Sequence, residues 1–244
     1  MVIAMAIFAL AFVIIALTKI PEPHMETPEE KAARLNGTQK KDPHGPMSFR
    51  HFVMGAIAIF FYVGIEVGIP NIANLYMSDL KWVGPAMAGT VVGAYWFLMM
   101  CGRLIGGVVG AKVTSKAMLT TVATLCIALV VALMYTPDTV RITIPFINAE
   151  VPLSMFFMIL CGLCTSVMWG AIFNLAAEGL GKYTPAASGI FMALVCGGGI
   201  LPFIQNGVVD ITGDYLTSYW VIILGMGYML FYALIGSKVT KRAD

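Results

Sequence analysis

The chain has 244 residues, of which 59% are apolar and only 11% are charged, and its mean hydropathy is +0.86. A soluble domain carries about 25% charged residues, so this composition excludes an ordinary soluble protein and predicts one that lies in a lipid bilayer. The net charge of +2 is explained by the distribution of basic residues between loops and gives no reason to expect nucleic-acid binding.

Seven apolar stretches run along the chain, each near the roughly 20 residues that a helix needs to cross a bilayer. The stretches are continuous rather than alternating, which favours helices over the strands of a closed barrel. The first has neither a basic start nor a small-residue cleavage site, so we interpret it as a retained helix rather than a signal peptide. The predicted membrane helices cover residues 2–18, 52–77, 86–109, 117–135, 152–176, 185–207 and 217–236.

A polar loop from Lys19 to Arg50 separates the first helix from the other six. This layout is typical of a twelve-helix membrane protein, built from two six-helix halves, that lacks its first five helices. We expect residues 1–18 to be the last helix of a missing N-terminal half and residues 19–50 to be a bridge loop. Residues 51–237 would then form the C-terminal six-helix bundle, followed by a tail at 238–244.

The lysines and arginines predict the orientation, because positively charged loops stay on the cytoplasmic side. Twelve of them fall in the bridge loop, the tail and the two alternate loops between these, whereas the opposite loops contain only Lys81 and Arg141. We therefore expect a cytoplasmic bridge loop and C-terminus, with the N-terminus outside. On the outer side, the alternating residues 139–150 predict a small β-hairpin.

Catalytic or metal chemistry has little support in the sequence. Cys161 and Cys164 have the spacing of a thiol pair, but they lie within an apolar helix with no second ligand pair, so packing is the favoured interpretation. The three histidines fall in the bridge loop or at a membrane boundary. We therefore expect no metal, no cofactor and no enzyme activity.

The second predicted helix carries Glu66 about halfway along, and a buried carboxylate in a bilayer is costly and usually functional. Tyr62, Glu66 and Asn74 share one stripe of this helix, with Asn71 at its border. Pro70 cannot donate a hydrogen bond to the carbonyl of Glu66, so we expect a broken helix here, of the kind that lines polar sites in membranes. The alternatives are a structural hydrogen bond by Glu66 between helices, or proton carriage.

Carboxylate and amide groups suit the paired hydroxyls of a sugar, and three aromatic residues could supply a ring face. The candidate substrate-binding residues are therefore Glu66, Tyr62, Asn71, Asn74, Tyr95, Trp96 and Trp169. Asn174, Gln205 and Asn206 are weaker candidates, and we expect the last two near the outer mouth, within reach of water.

Two further groups suggest conformational change. Arg103 and Glu178 both lie toward the cytoplasmic ends of their helices, and we expect them to form a latch, unless Arg103 only extends to lipid phosphates. Helices are weakened by Pro70 and by the run Gly197, Gly198 and Gly199 with Pro202, so these five positions are predicted hinges.

Four stretches resemble the major facilitator superfamily, and within it the fucose–proton symporter family, which also contains bacterial glucose/galactose transporters. They are Phe61–Val67, Gly102–Gly107, Ile172–Leu175 with Gly179–Gly181, and Gly197–Ile200 with Pro202 and Asp210. The glycine–arginine stretch is common among facilitators, whereas the Glu66 stretch joined to the triple-glycine stretch is more specific. All four belong to the second half of the family pattern.

The resemblance implies an all-α membrane fold and alternating access around a sugar bound between two halves. It also implies that inward proton flow drives uptake of a hexose or deoxyhexose across a bacterial inner membrane. The helices that would supply the acidic residues for proton coupling are absent, and we expect the sequence to be a truncated piece whose partner is the missing N-terminal half. The alternatives are a facilitator half for another small polar solute, or a non-transporting scaffold or sensor.

Overall fold

Helices account for nearly all of the structure, a computed structural model that describes residues 2–18, 45–144 and 149–240. The chain divides into two compact units, Met1–Pro43 and His44–Asp244. The first unit contains helix α1, Val2–Leu17, as predicted. Its 16 residues fall short of the roughly 20 that a bilayer requires.

In the second unit, the described residues form eight α-helices and one β-hairpin. Short 3₁₀ turns precede several helices, and a π-helical turn at Tyr232–Gly236 follows the last. The helices are α2 Arg50–Asp79, α3 Gly84–Gly110, α4 Ser115–Tyr135, α5 Leu153–Thr165, α6 Met168–Ala177, α7 Thr184–Leu194, α8 Gly197–Thr212 and α9 Tyr219–Phe231.

Six helical segments of this unit are long and apolar enough to cross a membrane, which confirms the predicted all-α membrane bundle. Their bounds agree with the predicted spans to within a few residues, because hydropathy alone sets where a helix enters and leaves lipid. Most of the bridge loop, residues 19–44, and the end of the tail, residues 241–244, lie outside the described residues.

Two of the six membrane segments are interrupted near their middle. One breaks at Ser166–Val167, between α5 and α6, where neither residue is a glycine or a proline. The other breaks at Val195–Cys196, between α7 and α8, so the triple glycine forms the first turn of α8 rather than the break itself. Whether these positions act as hinges remains a prediction.

Helix α2 is the most buried of the membrane segments and packs against α3, α6, α8 and α9. Its contact with α8 depends on glycines, which allow two helix backbones to approach closely in lipid. A Cβ atom on Gly64 would lie 2.6 Å from Leu201, and one on Gly197 would lie 2.0 Å from the carbonyl oxygen of Phe60. The centre of the bundle is therefore a tight crossing of α2 and α8.

The predicted hairpin is present between α4 and α5, with β1 Arg141–Ile144 antiparallel to β2 Ala149–Pro152. The guanidinium of Arg141 lies 4.2 Å above the centre of the Trp82 ring and 3.6 Å from a carboxylate oxygen of Glu150. These contacts hold the hairpin against the short connection between α2 and α3.

The five cysteines are free thiols in different surroundings. Cys126, Cys161 and Cys164 are buried, Cys101 is partly buried, and Cys196 is exposed at the interruption between α7 and α8. Cys161 and Cys164 are therefore buried packing residues, as expected from the sequence.

Candidate functional site

Helix α2 is not broken at Pro70, contrary to our prediction, and continues without interruption to Asp79. The carbonyl that Pro70 leaves without a backbone donor is that of Glu66. The hydroxyl of Tyr95, on α3, donates to this carbonyl oxygen at 3.1 Å. A side chain from the neighbouring helix therefore replaces the missing backbone hydrogen bond, which explains why the proline is tolerated inside a continuous helix.

The side chain of Glu66 is paired with Arg103, on α3. Nη2 of Arg103 donates to Oε1 of Glu66 at 2.8 Å, and the exposed fractions of the two side chains are 57% and 13%. Sequence reasoning missed this pair, because it placed Arg103 much nearer one membrane surface than Glu66.

Glu66 and Arg103 lie at different heights along their helices, and the direction of their side chains bridges the difference. Glu66 lies 13 residues before the end of α2, and Arg103 lies 19 residues after the start of α3. In this antiparallel pair the difference amounts to about 9 Å along the helix axes. Side chains lean toward the N-terminus of their own helix, so Glu66 and Arg103 lean toward each other.

A cavity of about 290 Å³, here called the Asn71 groove, lies between α2 and α3 on the Asp79 side of this ion pair. It contains three of the predicted substrate-binding residues, Asn71, Asn74 and Trp96. The side chain of Trp96 is 42% exposed, and its ring stands edge-on to Tyr95 at 5.3 Å. The full lining is Val67, Pro70, Asn71, Asn74, Leu75, Val92 and Trp96.

The other predicted aromatic residues do not line the Asn71 groove. Tyr62 and Tyr95 are fully buried, and Trp169 is partly buried with its ring 6.0 Å from that of Tyr62. Beyond its bond to Glu66, the Tyr95 hydroxyl lies 3.2 Å from Oγ1 of Thr165 on α5. Among the four predicted aromatic positions, Trp96 alone therefore offers the groove an open ring face.

Arg103 also lines a second cavity, of about 330 Å³, on the opposite side of the ion pair. We call it the Arg103 cavity. Gly107, Gly110 and Gly170 leave it open, since nothing lies within 4 Å of where their Cβ atoms would stand. Its lining is Arg103, Gly106, Gly107, Gly110, Met118, Ser166, Val167, Gly170 and Asn174.

The two predicted latch residues are not paired with each other in this structure. Arg103 binds Glu66, whereas Glu178 lines a separate cavity of about 630 Å³ with Lys116, Asn174 and Lys238. The carbonyl oxygen of Glu178 accepts a hydrogen bond from Nε2 of His51 at 2.8 Å. Arg103 is paired instead with the Glu66 carboxylate, which lies beside it in the interior of the bundle. An Arg103–Glu178 latch remains a prediction for another conformation.

Gln205 is placed differently from our expectation. We expected it near the outer mouth, within reach of water, but its side chain is fully buried in the crossing of α2 and α8. Neither amide atom has a hydrogen-bond partner among the described residues, and the oxygen lies 2.2 Å from where a Cβ atom on Gly68 would stand. Its neighbour Asn206 donates to the carbonyl of Pro202 at 2.8 Å and lies 3.5 Å from the amide oxygen of Asn71.

Comparison with known proteins gives a consistent result. A sequence profile described as "Major Facilitator Superfamily" matches residues 1–203. The glucose/galactose transporter of Brucella abortus is 30% identical over 240 residues, which are 98% of this chain and 53% of the relative. A Helicobacter pylori protein provisionally described as a glucose/galactose transporter is 32% identical over 99% of this chain and 55% of the relative.

Two solved structures share the fold. The facilitator FucP in its outward conformation has a TM-score of 0.72 and 20% identity, covering 98% of this chain and 54% of FucP. A variant of the E. coli fucose:proton symporter FucP has a TM-score of 0.74 at the same identity and coverage. The chain thus spans about half the length of the relatives that it matches, which agrees with one half of a two-part fold.

Proposed function

Because the chain belongs to the major facilitator superfamily, we propose that it forms the C-terminal half of a secondary active sugar transporter. The substrate would be a hexose or deoxyhexose, taken up together with protons by alternating access. The whole site would lie between this bundle and an N-terminal half, in a bacterial inner membrane with the C-terminus in the cytoplasm.

The observation that carries the proposal is the Asn71 groove, in a chain that aligns almost completely with half of a glucose/galactose transporter. Amide groups can donate to and accept from sugar hydroxyls at once. The open ring of Trp96 offers an apolar face beside them, and small-molecule sites commonly combine apolar walls with a few polar groups. Glu66 lies one turn away and supplies a charged acceptor.

Uptake of labelled D-glucose, D-galactose and L-fucose into vesicles with an imposed pH gradient tests the proposal. We would compare this chain alone with the chain co-produced with the N-terminal half of the Brucella abortus relative, and with the same assembly carrying Glu66→Gln. We expect uptake only with both halves, and a strong reduction by Glu66→Gln, because the substitution weakens the pair with Arg103 and removes a charged acceptor.

Glu150→Gln in the hairpin is the matched control, since Glu150 also pairs with an arginine but is not among the residues that line the Asn71 groove. It should leave uptake unchanged. Equal losses with Glu66→Gln and Glu150→Gln would remove Glu66 from the site. Uptake by this chain alone would contradict the two-half arrangement. If the assembly took up a different polar solute and none of these sugars, the proposal of a transporter would stand and the proposal of a sugar substrate would be wrong.

A further inference from the structure

The ion pair between Arg103 and Glu66 leaves most of its hydrogen-bonding capacity unused. A guanidinium has five N–H donors and a carboxylate has two acceptor oxygens. Within the part of the chain that the structure describes, the pair makes a single contact, from Nη2 to Oε1. A pair built only for stability usually engages both oxygens side by side, so this end-on contact leaves polar atoms for another group.

The pair also lies between the two cavities that meet at α3. Trp96, in the Asn71 groove, and Arg103, in the Arg103 cavity, are seven residues apart. That spacing is close to two full turns, so both side chains project from one stripe of α3, about 10 Å apart along the helix axis. A small molecule that moves along this stripe from the groove to the cavity must pass the guanidinium.

The hydroxyl of Tyr62 is a third polar group at this position. Tyr62 lies one turn before Glu66 on α2 and is fully buried, and its hydroxyl makes no well-aligned hydrogen bond to any residue that the structure describes. It is close enough to Glu66 and Arg103 to interact with both electrostatically. The hydroxyl therefore adds a third polar group to the ion pair, and a polar ligand at this position would meet all three.

We propose that Arg103, in the conformation described here, is a sugar-binding residue. Its remaining N–H groups donate to a hydroxyl oxygen of the substrate, and the second oxygen of Glu66 accepts from the adjacent hydroxyl. The pair is neutral as a whole, so it matches a neutral polyol, whereas the Glu66 carboxylate disfavours an anionic sugar acid. This inference rests on the proposed function, because it assumes that a hydroxylated solute reaches the Asn71 groove.

Modification of arginine by phenylglyoxal, quantified by mass spectrometry, tests the inference in the assembled two-half transporter. The modified fraction of Arg103 is compared with and without the transported sugar. Arg141 is an internal control, because it also has a carboxylate partner and a similar exposed fraction, 47%. At about ten times the Kd, bound sugar should slow modification of Arg103 about tenfold and leave Arg141 unchanged.

The outcomes separate the two hypotheses. Sugar uptake without protection of Arg103 overturns the inference and leaves the proposed function intact. Neither uptake nor protection by any of the three sugars overturns both. Protection without uptake supports the inference and contradicts transport. Stronger protection by D-glucuronate than by D-glucose overturns the neutral-polyol assignment, because the guanidinium would then be reading a carboxylate.

Monodeoxy analogues of the transported sugar give a readout that a merely structural arginine would not affect. A site that bonds a hydroxyl rejects the analogue lacking it, and we expect one position to raise KM on the order of tenfold or more. In Arg103→Met that preference should disappear, whereas Arg103→Lys should keep part of it. An unchanged preference in Arg103→Met would contradict the inference.

Discussion

The two sides of α2 differ in how they meet their neighbours. Toward α8, glycines bring the backbones together, and the side chains of Leu201 and Gln205 fill the space that Gly64 and Gly68 leave. Toward α3, an ion pair and a tyrosine hydroxyl span the gap, and a cavity opens on each side of the pair. The α8 side of α2 is therefore closely packed, whereas the α3 side is held by a few polar contacts with open space between them.

This difference separates two tasks within one helix. Close packing by small residues compensates for the absence of a hydrophobic drive between helices in lipid. Polar contacts in lipid are strong only where both partners are present, so they can be exchanged for contacts with a ligand. The α8 side is therefore expected to respond to changes in volume, and the α3 side to changes in hydrogen-bonding groups.

The largest effect is expected from Arg103→Met, on the α3 side. Glu66, only 13% exposed, would lose its cation. Breaking a buried pair costs about 3–5 kcal/mol, and the exposure of Arg103 places this case at the low end. The thermal midpoint of the detergent-solubilised chain measures the loss. Arg141→Met, in the hairpin pair, should cost less than about 1 kcal/mol. Equal losses would mean that the interior pair is no more than a surface contact.

A somewhat smaller loss is expected from Gly197→Ala, on the α8 side. The new Cβ atom would stand 2.0 Å from the carbonyl oxygen of Phe60, which is backbone and cannot rotate away. Overpacking of this kind costs about 1–3 kcal/mol. Gly199→Ala, two residues later with open space around it, should be neutral or stabilise by less than about 1 kcal/mol. If Gly197→Ala and Gly199→Ala have the same thermal midpoint, close packing of α2 on α8 does not limit stability.

Gln205→Met should increase stability, the reverse of most core substitutions. Methionine has a similar volume and removes two buried amide atoms that have no partners. Relief of unsatisfied groups is worth about 1–2 kcal/mol. Asn206→Leu should instead destabilise, because Asn206 is hydrogen-bonded to the carbonyl of Pro202. A loss of stability in Gln205→Met would show that the amide is paired in the detergent-solubilised protein.

The smallest effect is expected from Tyr95→Phe, which leaves the carbonyl of Glu66 without a donor. The loss should be about 1 kcal/mol, the net value of one hydrogen bond. Tyr232→Phe is the matched control, because the Tyr232 hydroxyl is buried without a partner and its removal should cost nothing. The difference between the thermal midpoints of the two variants measures the hydrogen bond from Tyr95 to the Glu66 carbonyl, which allows α2 to continue through Pro70. Identical melting of both would contradict that role.

The membrane helices and the hairpin could be predicted because their signals are local. Hydropathy over about 20 residues defines a span, and the alternation around Arg141 defines a pair of strands. The polar residues Asn71 and Asn74 were identified in the same way, from their positions along one helix. Trp96 was added for its chemistry, and the structure places it in the same groove.

The remaining features depend on which helices are neighbours, and a single sequence does not contain that information. The partner of Arg103 depends on the antiparallel contact of α2 with α3 and on the lean of both side chains. The continuity of α2 depends on a hydroxyl from Tyr95, outside the helix. Gln205 is buried because its side chain, on α8, faces α2 rather than the outer mouth. The break at Ser166–Val167 could not be predicted from the sequence, because neither residue is a glycine or a proline.

The interruption between α7 and α8 has a practical consequence for spectroscopy. Cys196 lies there with an exposed thiol, whereas Cys126, Cys161 and Cys164 are buried and Cys101 is partly covered. Thiol reagents select accessible groups, so a fluorophore added briefly to the native sequence should attach first at this junction. The bundle thus carries a natural attachment point where the α-helical hydrogen bonding of a membrane segment is interrupted, and the emission of the dye would report any rearrangement there without any substitution.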